Sequence, residues 1–106
     1  MTTAGDQQLR PGRFRRRQRG LGGAEQVEAL RFDGTSQAAV DVDAWMRGYG
    51  FCCEVMTFGG GEPMSLRIPT REGSRFARAG DWIVCAGGEF SVCAAEVFER
   101  TFAAEH

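Results

Sequence analysis

The stretch Ala79-Gly80-Asp81-Trp82-Ile83-Val84-Cys85-Ala86-Gly87-Gly88-Glu89-Phe90-Ser91-Val92-Cys93 decides the fold class. Gly80-Asp81 is turn chemistry, Trp82 to Cys85 is an aromatic and β-branched run, and Gly87-Gly88 suits the tight connection between antiparallel strands. The segment reads as a hairpin. Upstream, Ser74 to Ala77 reads as a short edge strand whose Arg75, with the nearby Arg78, discourages edge pairing, and Thr70-Arg71-Glu72-Gly73 is the turn before it. Met64, Leu66 and Ile68 alternate with Ser65 and Arg67 between Pro63 and Pro69, the pattern of a half-buried strand. Tyr49 to Phe58 reads as another strand, stopping at Gly59-Gly60-Gly61.

Further toward the N-terminus, Ala38, Ala39, Val40, Val42, Trp45 and Met46 follow Thr35 or Ser36 at helical spacing and precede Gly48. This predicts a helix of about three turns with a hydroxyl N-cap and a glycine just past its end. Before it, Gln26 to Phe32 separates Val27, Ala29 and Arg31 from Glu28, Leu30 and Phe32 by strict alternation, a strand closed by Asp33-Gly34. After the hairpin, Ala94 to Phe98 permits one helical turn, and Glu99 to Phe102 a final strand. Together these elements predict an α+β fold, a small curled antiparallel sheet or partial barrel of five to seven strands packed on one helix.

Charge divides the chain. Residues 1–23 hold six Arg against Asp6, whereas residues 24–106 hold seven Arg against 13 acidic residues, and there is no Lys. The first stretch has only Leu9, Phe14 and Leu21 as sizeable apolar groups, so it reads as a disordered Arg/Gly-rich tail, with a single α+β domain over 24–106. Within that tail Arg13, Arg15, Arg16, Arg17 and Arg19 are candidate contacts to nucleic-acid phosphates. No apolar run reaches the roughly 20 residues of a membrane span, and no apolar stretch follows Arg19 as in a secretory signal. The expected setting is cytoplasmic, with no membrane partner.

Four cysteines invite a zinc or disulfide reading. Cys52 and Cys53 are adjacent, however, and point to opposite faces of a strand, and Cys85 and Cys93 lie eight apart across a hairpin, whereas zinc favours pairs two to four residues apart. They read instead as small buried hydrophobes. A Cys or Ser nucleophile needs a base, and the only His is His106 at the last position. Gly59-Gly60-Gly61 and Gly87-Gly88 lack the Lys-Ser/Thr of a phosphate-binding loop. No enzyme activity and no cofactor are expected.

Leu66-Arg67-Ile68-Pro69-Thr70, Gly80-Asp81-Trp82-Ile83, Gly88-Glu89-Phe90 and Phe98-Glu99-Arg100-Thr101-Phe102, taken in this order, resemble a family of small proteins encoded by tailed bacteriophages and prophages. Its members carry Ile-Pro-Thr, Gly-Asp-Trp-Ile and Gly-Glu-Phe motifs and a terminal Phe-Glu-x-Thr-Tyr. Here Phe102 replaces the Tyr, and Ala79 stands where the family usually has Pro. The resemblance covers most of residues 26–102 and implies a phage or prophage setting but no chemistry, because turn glycines and core aromatics specify a fold. The expectation is a non-enzymatic accessory protein that binds a host or phage macromolecule, most readily a protein, in host takeover or anti-defence, with Asp81, Trp82 and Glu89 as its interaction surface. The alternative is a small-ligand or nucleic-acid binding module whose Arg-rich tail contacts phosphates; an enzyme comes third.

Overall fold

The computed structural model describes residues 10–17, 26–57 and 64–105. In chain order these form β1 (Gly12–Arg16), β2 (Gln26–Arg31), α1 (Ser36–Arg47), β3 (Glu54–Thr57), β4 (Met64–Thr70), β5 (Gly73–Ala77), β6 (Trp82–Ala86), β7 (Glu89–Cys93), α2 (Ala95–Thr101) and β8 (Phe102–Ala104). All pairings are antiparallel. One sheet has the order β7-β6-β2-β1-β8, and a second has β3-β4-β5. The α+β class is as expected, with the strands divided between two sheets and a second helix added.

Alternation along β2 and β6 builds two cores on opposite faces of the larger sheet. Leu30 and Phe32 from β2 and its end, with Ile83 and Cys85 from β6 and Phe90 from β7, meet Ala38, Ala39, Val42 and Met46 of α1 and Leu66, Ile68 and Ala77 of the smaller sheet. On the other face Val27, Ala29 and Val84 meet Phe98 of α2 and Phe102 of β8. The larger sheet is thus the middle layer, which is why the β6 run reads as continuously apolar.

The helix forms where its spacing predicts. Thr35 Oγ1 accepts the Ala38 amide at 3.1 Å and donates to Asp33 Oδ1 at 2.7 Å, while the Thr35 amide donates to the same carboxylate oxygen. These bonds to the ionised form hold the Asp33 carboxyl below its usual pKa. Gly34 adopts φ +88°, and a Cβ there would lie 3.0 Å from Ala79 Cβ, so glycine is required both by conformation and by space. The Asp33-Gly34 and Gly80-Asp81 turns are tied together: Gly80 N–H donates to Phe32 O and Phe32 N–H to Asp81 O.

Three segments differ from the sequence expectation. Residues 12–16 form no disordered tail but a strand paired on both sides, Phe14 opposite Val27 and Ala104. Their order rests on backbone bonds to β2 and β8 and on the Phe14 ring, which sits edge-on to Trp82 at 5.3 Å and to Phe98 at 4.9 Å. Residues 1–9 and 18–25 lie outside the described residues. The strand expected from Tyr49 to Phe58 is confined to Glu54–Thr57, because Tyr49, Gly50 and Phe51 donate their amides to the last carbonyls of α1 and close the helix. Phe58 is outside the described residues. Finally, α2 takes in Glu99, Arg100 and Thr101, leaving a β8 of three residues, since burying Phe98 against Trp82 carries the helix past the single expected turn.

Candidate binding surfaces

β1 carries its arginines in alternation. Arg13 and Arg15 are exposed, whereas Phe14 and Arg16 turn toward the α2 side, where the Arg16 guanidinium lies 5.2 Å from the Phe102 ring centroid. Arg15 Nη2 is 3.0 Å from Glu105 Oε2, which also accepts Gln26 Nε2 at 2.9 Å. Arg17, just past the strand, donates its amide to Thr101 O and its Nε to Glu99 O, placing a cation at the carbonyl end of α2. β8 has only three residues, so guanidinium groups from either face reach around that edge. Arg15, Arg16 and Arg17 line one depression of about 520 Å³ with Ala103, Ala104 and Glu105. Arg19 lies outside the described residues.

A second depression of about 400 Å³ adjoins the first at Glu105 and is lined by Arg13, Gln26, Glu28, Tyr49 and the Gly87-Gly88 turn. Glu28 is its organising group. One carboxylate oxygen accepts Trp45 Nε1 at 3.1 Å and the Tyr49 hydroxyl at 3.0 Å. Donating to a carboxylate raises the Tyr49 phenol above its ordinary pKa, because ionisation would put two anions together. Tyr49 stays 44% exposed, with the Phe90 ring set against its own at 5.6 Å. Sequence inspection missed this triad, since its members stand 17 and 21 residues apart in the chain and no local pattern links them.

On the opposite side of α1, the first core opens to solvent between the helix and β3. Ala39, Val40, Cys53, Val55 and Met64 line a groove of about 300 Å³, with Ser36 and Asp43 at its rim. Val40 is 59% and Val55 51% exposed, although Val55 pairs with the fully buried Leu66. β3 is an outer strand of its sheet, so one of its backbone edges takes part in no described pairing.

Asp81, Trp82 and Glu89 do not form one surface. Asp81 Oδ2 accepts the Arg78 amide at 2.9 Å and serves the turn. Trp82 is stacked on Phe98 at 4.1 Å, inside the α2 layer, with its indole N–H buried and without a hydrogen-bond partner. Glu89 is exposed, but it pairs with Ala86 at the far end of the hairpin from Trp82, which pairs with Cys93. The separation follows from strand length: four residues of β6 span roughly 13 Å.

The four cysteines are free thiols: Cys52 exposed, Cys53 and Cys93 half-buried, Cys85 buried. Burial and the nearby Asp43 carboxylate push the Cys53 thiol up to about 11, and burial also raises Cys85 and Cys93, so these three are thiols at neutral pH. Among the described residues no three His, Cys, Asp or Glu side chains converge on a common point suited to a metal, and no helix is long and apolar enough to cross a membrane. His106 is not among the described residues. Comparison with protein-family models, with curated proteins and with solved structures finds no match.

Proposed function

We propose that the chain is a non-enzymatic binding protein whose principal partner is another protein, docked on the shelf between α1 and β3. The observation that carries this reading is the pair of half-exposed valines, Val40 and Val55, flanking an opening into the core beside an outer strand. A partner strand added to β3 gains main-chain hydrogen bonds, and a partner apolar side chain entering the groove gains the burial that β3 and α1 leave incomplete. The acidic balance of residues 24–106 favours a partner with a basic rim. The phage or prophage setting implied by the sequence resemblance supports a host or phage protein as that partner, in the cytoplasm of a bacterial cell.

The test is affinity capture from bacterial lysate at low salt with four proteins: wild type, Val55→Lys, Val40→Glu, and Phe76→Ser as a control on β5. A protein retained by wild type and by Phe76→Ser, but lost with both shelf variants, is the expected result. Identical captured sets across all four, or nothing above background with wild type, refute it.

A further inference from the structure

The arginines of β1 take no part in the shelf, yet they line a groove of their own. Two depressions meet at Glu105, one lined by Arg15, Arg16 and Arg17 and the other by Arg13, Gln26, Glu28 and Tyr49. One end is cationic; the other is polar with an exposed aromatic ring. We propose that this groove binds single-stranded nucleic acid, with phosphates at the arginine end and a base against Tyr49.

Three features carry the proposal. First, the guanidinium groups of Arg15 and Arg17 keep donors for phosphate. Arg17 spends Nε on the Glu99 carbonyl and Arg15 spends Nε and Nη2 on Glu105, out of five N–H donors each. The protein contacts thereby aim these side chains without saturating them. Second, Tyr49 is a partly exposed aromatic residue lining the groove, where a base can stack, and Gln26 and Glu28 line the same depression with polar groups. Third, the arginines stand on and just past β1, one strand in from the three-residue outer strand β8, rather than on a protruding helix or ribbon of the kind that enters a duplex groove. An unpaired strand can lay its backbone along that side of the sheet and turn a base inward.

Binding dominated by phosphates releases counterions, so the salt dependence reports how many arginines engage. With about three phosphates neutralised, log K against log salt has a slope near −2 for a single strand, and raising salt from about 50 to 200 mM weakens binding roughly 20-fold. Fluorescence anisotropy with a labelled 15-nucleotide oligothymidylate measures this on the full chain. Arg15→Gln/Arg17→Gln is expected to flatten the slope to about −0.7, since each lost phosphate contact removes about 0.7. Tyr49→Leu is expected to weaken binding by about fivefold or more while leaving the slope unchanged. Arg71→Gln/Arg75→Gln, on the smaller sheet, changes neither. Circular dichroism confirms that each variant is folded. The proposal is overturned if wild type fails to bind at about 50 mM salt, if the Arg15/Arg17 variant keeps the wild-type slope, or if Tyr49→Leu binds as wild type does. Tighter binding of a 15-base-pair duplex than of the single strand overturns it as well.

Discussion

Truncating Phe14 to Ala tests whether β1 belongs to the folded domain. A Phe removed from a full core costs about 3–5 kcal/mol. Phe14 is half-buried, with its ring edge-on to Trp82 and Phe98, so the expected loss is about half of that, roughly 1.5–2.5 kcal/mol including the ring contacts. For a domain of this size each kcal/mol moves Tm by roughly 4–8 °C, which gives a fall of roughly 6–20 °C. Thermal unfolding followed by tryptophan fluorescence is the assay, because Trp82 is itself one of the contacts. Arg13→Ala, the exposed neighbour, is the control and stays within about 0.5 kcal/mol of wild type. Removing residues 1–17 strips β2 of one partner and β8 of the only partner it has among the described residues, so no cooperative transition is expected. A Tm shift below about 2 °C for Phe14→Ala, together with an unchanged transition after the deletion, refutes the placement of β1.

Other expectations follow from the turns and thiols. Thr35→Ala removes the N-cap of α1 and lowers stability by about 1 kcal/mol, read as a shift in urea midpoint at constant slope. Asp33 is held below 3.8 when folded, so its contribution to stability is complete above that pH and is lost as pH falls through the lower, folded value. Asp33→Asn therefore flattens the decline of the urea midpoint below about pH 4. Gly34→Ala costs about 1–2 kcal/mol in left-handed backbone strain plus the clash with Ala79, and in an Ala79→Gly background only the backbone part remains. Alkylation of the native protein, followed by peptide mass mapping, labels Cys52 first and Cys85 last, and the Cys53 rate keeps rising with pH toward about 11.

The elements that were legible in the sequence share one property: their signal is local. The β6–β7 hairpin, the alternation of β4 and the helix between Thr35 and Gly48 each declare themselves within a dozen residues, through turn glycines, period and caps. β1 obeys the same period-two rule, yet its inward positions are Gly12, Phe14 and Arg16, of which only Phe14 is apolar. The Arg16 guanidinium lies over the Phe102 ring instead, a packing role that a count of hydrophobic residues does not register. The end of α1 misleads in the opposite direction. Tyr49 and Phe51 have strand-like composition, but their amides cap the helix and their rings pack on Phe90. Of the candidate contacts, Arg15, Arg16 and Arg17 do come together, with Arg13 in the adjoining depression, while Asp81 and Trp82 separate from Glu89, because nearness along a hairpin does not make residues neighbours on its surface.

Moving the arginines from a tail into the sheet changes the physics of anything they bind. A mobile basic segment loses conformational entropy on every encounter, whereas β1 is ordered by β2 and β8 before a ligand arrives. The exposed pair between Arg15 and Glu105 adds at most about 1 kcal/mol to stability, but it fixes where that guanidinium points. Strand order also separates the two proposed binding surfaces. The shelf is framed by α1 and by β3 of the smaller sheet, the groove by the β1–β8 side of the larger one, and they share no lining residue. Under the two proposals, occupying one leaves the other open, so a protein on the shelf is held within the span of one small domain from a strand in the groove. Linkage of that kind raises the effective concentration of the two ligands toward each other without any new contact between them. A single variant at either surface then weakens the three-component assembly while leaving the other binary complex intact, and that asymmetry distinguishes two independent sites from one extended interface.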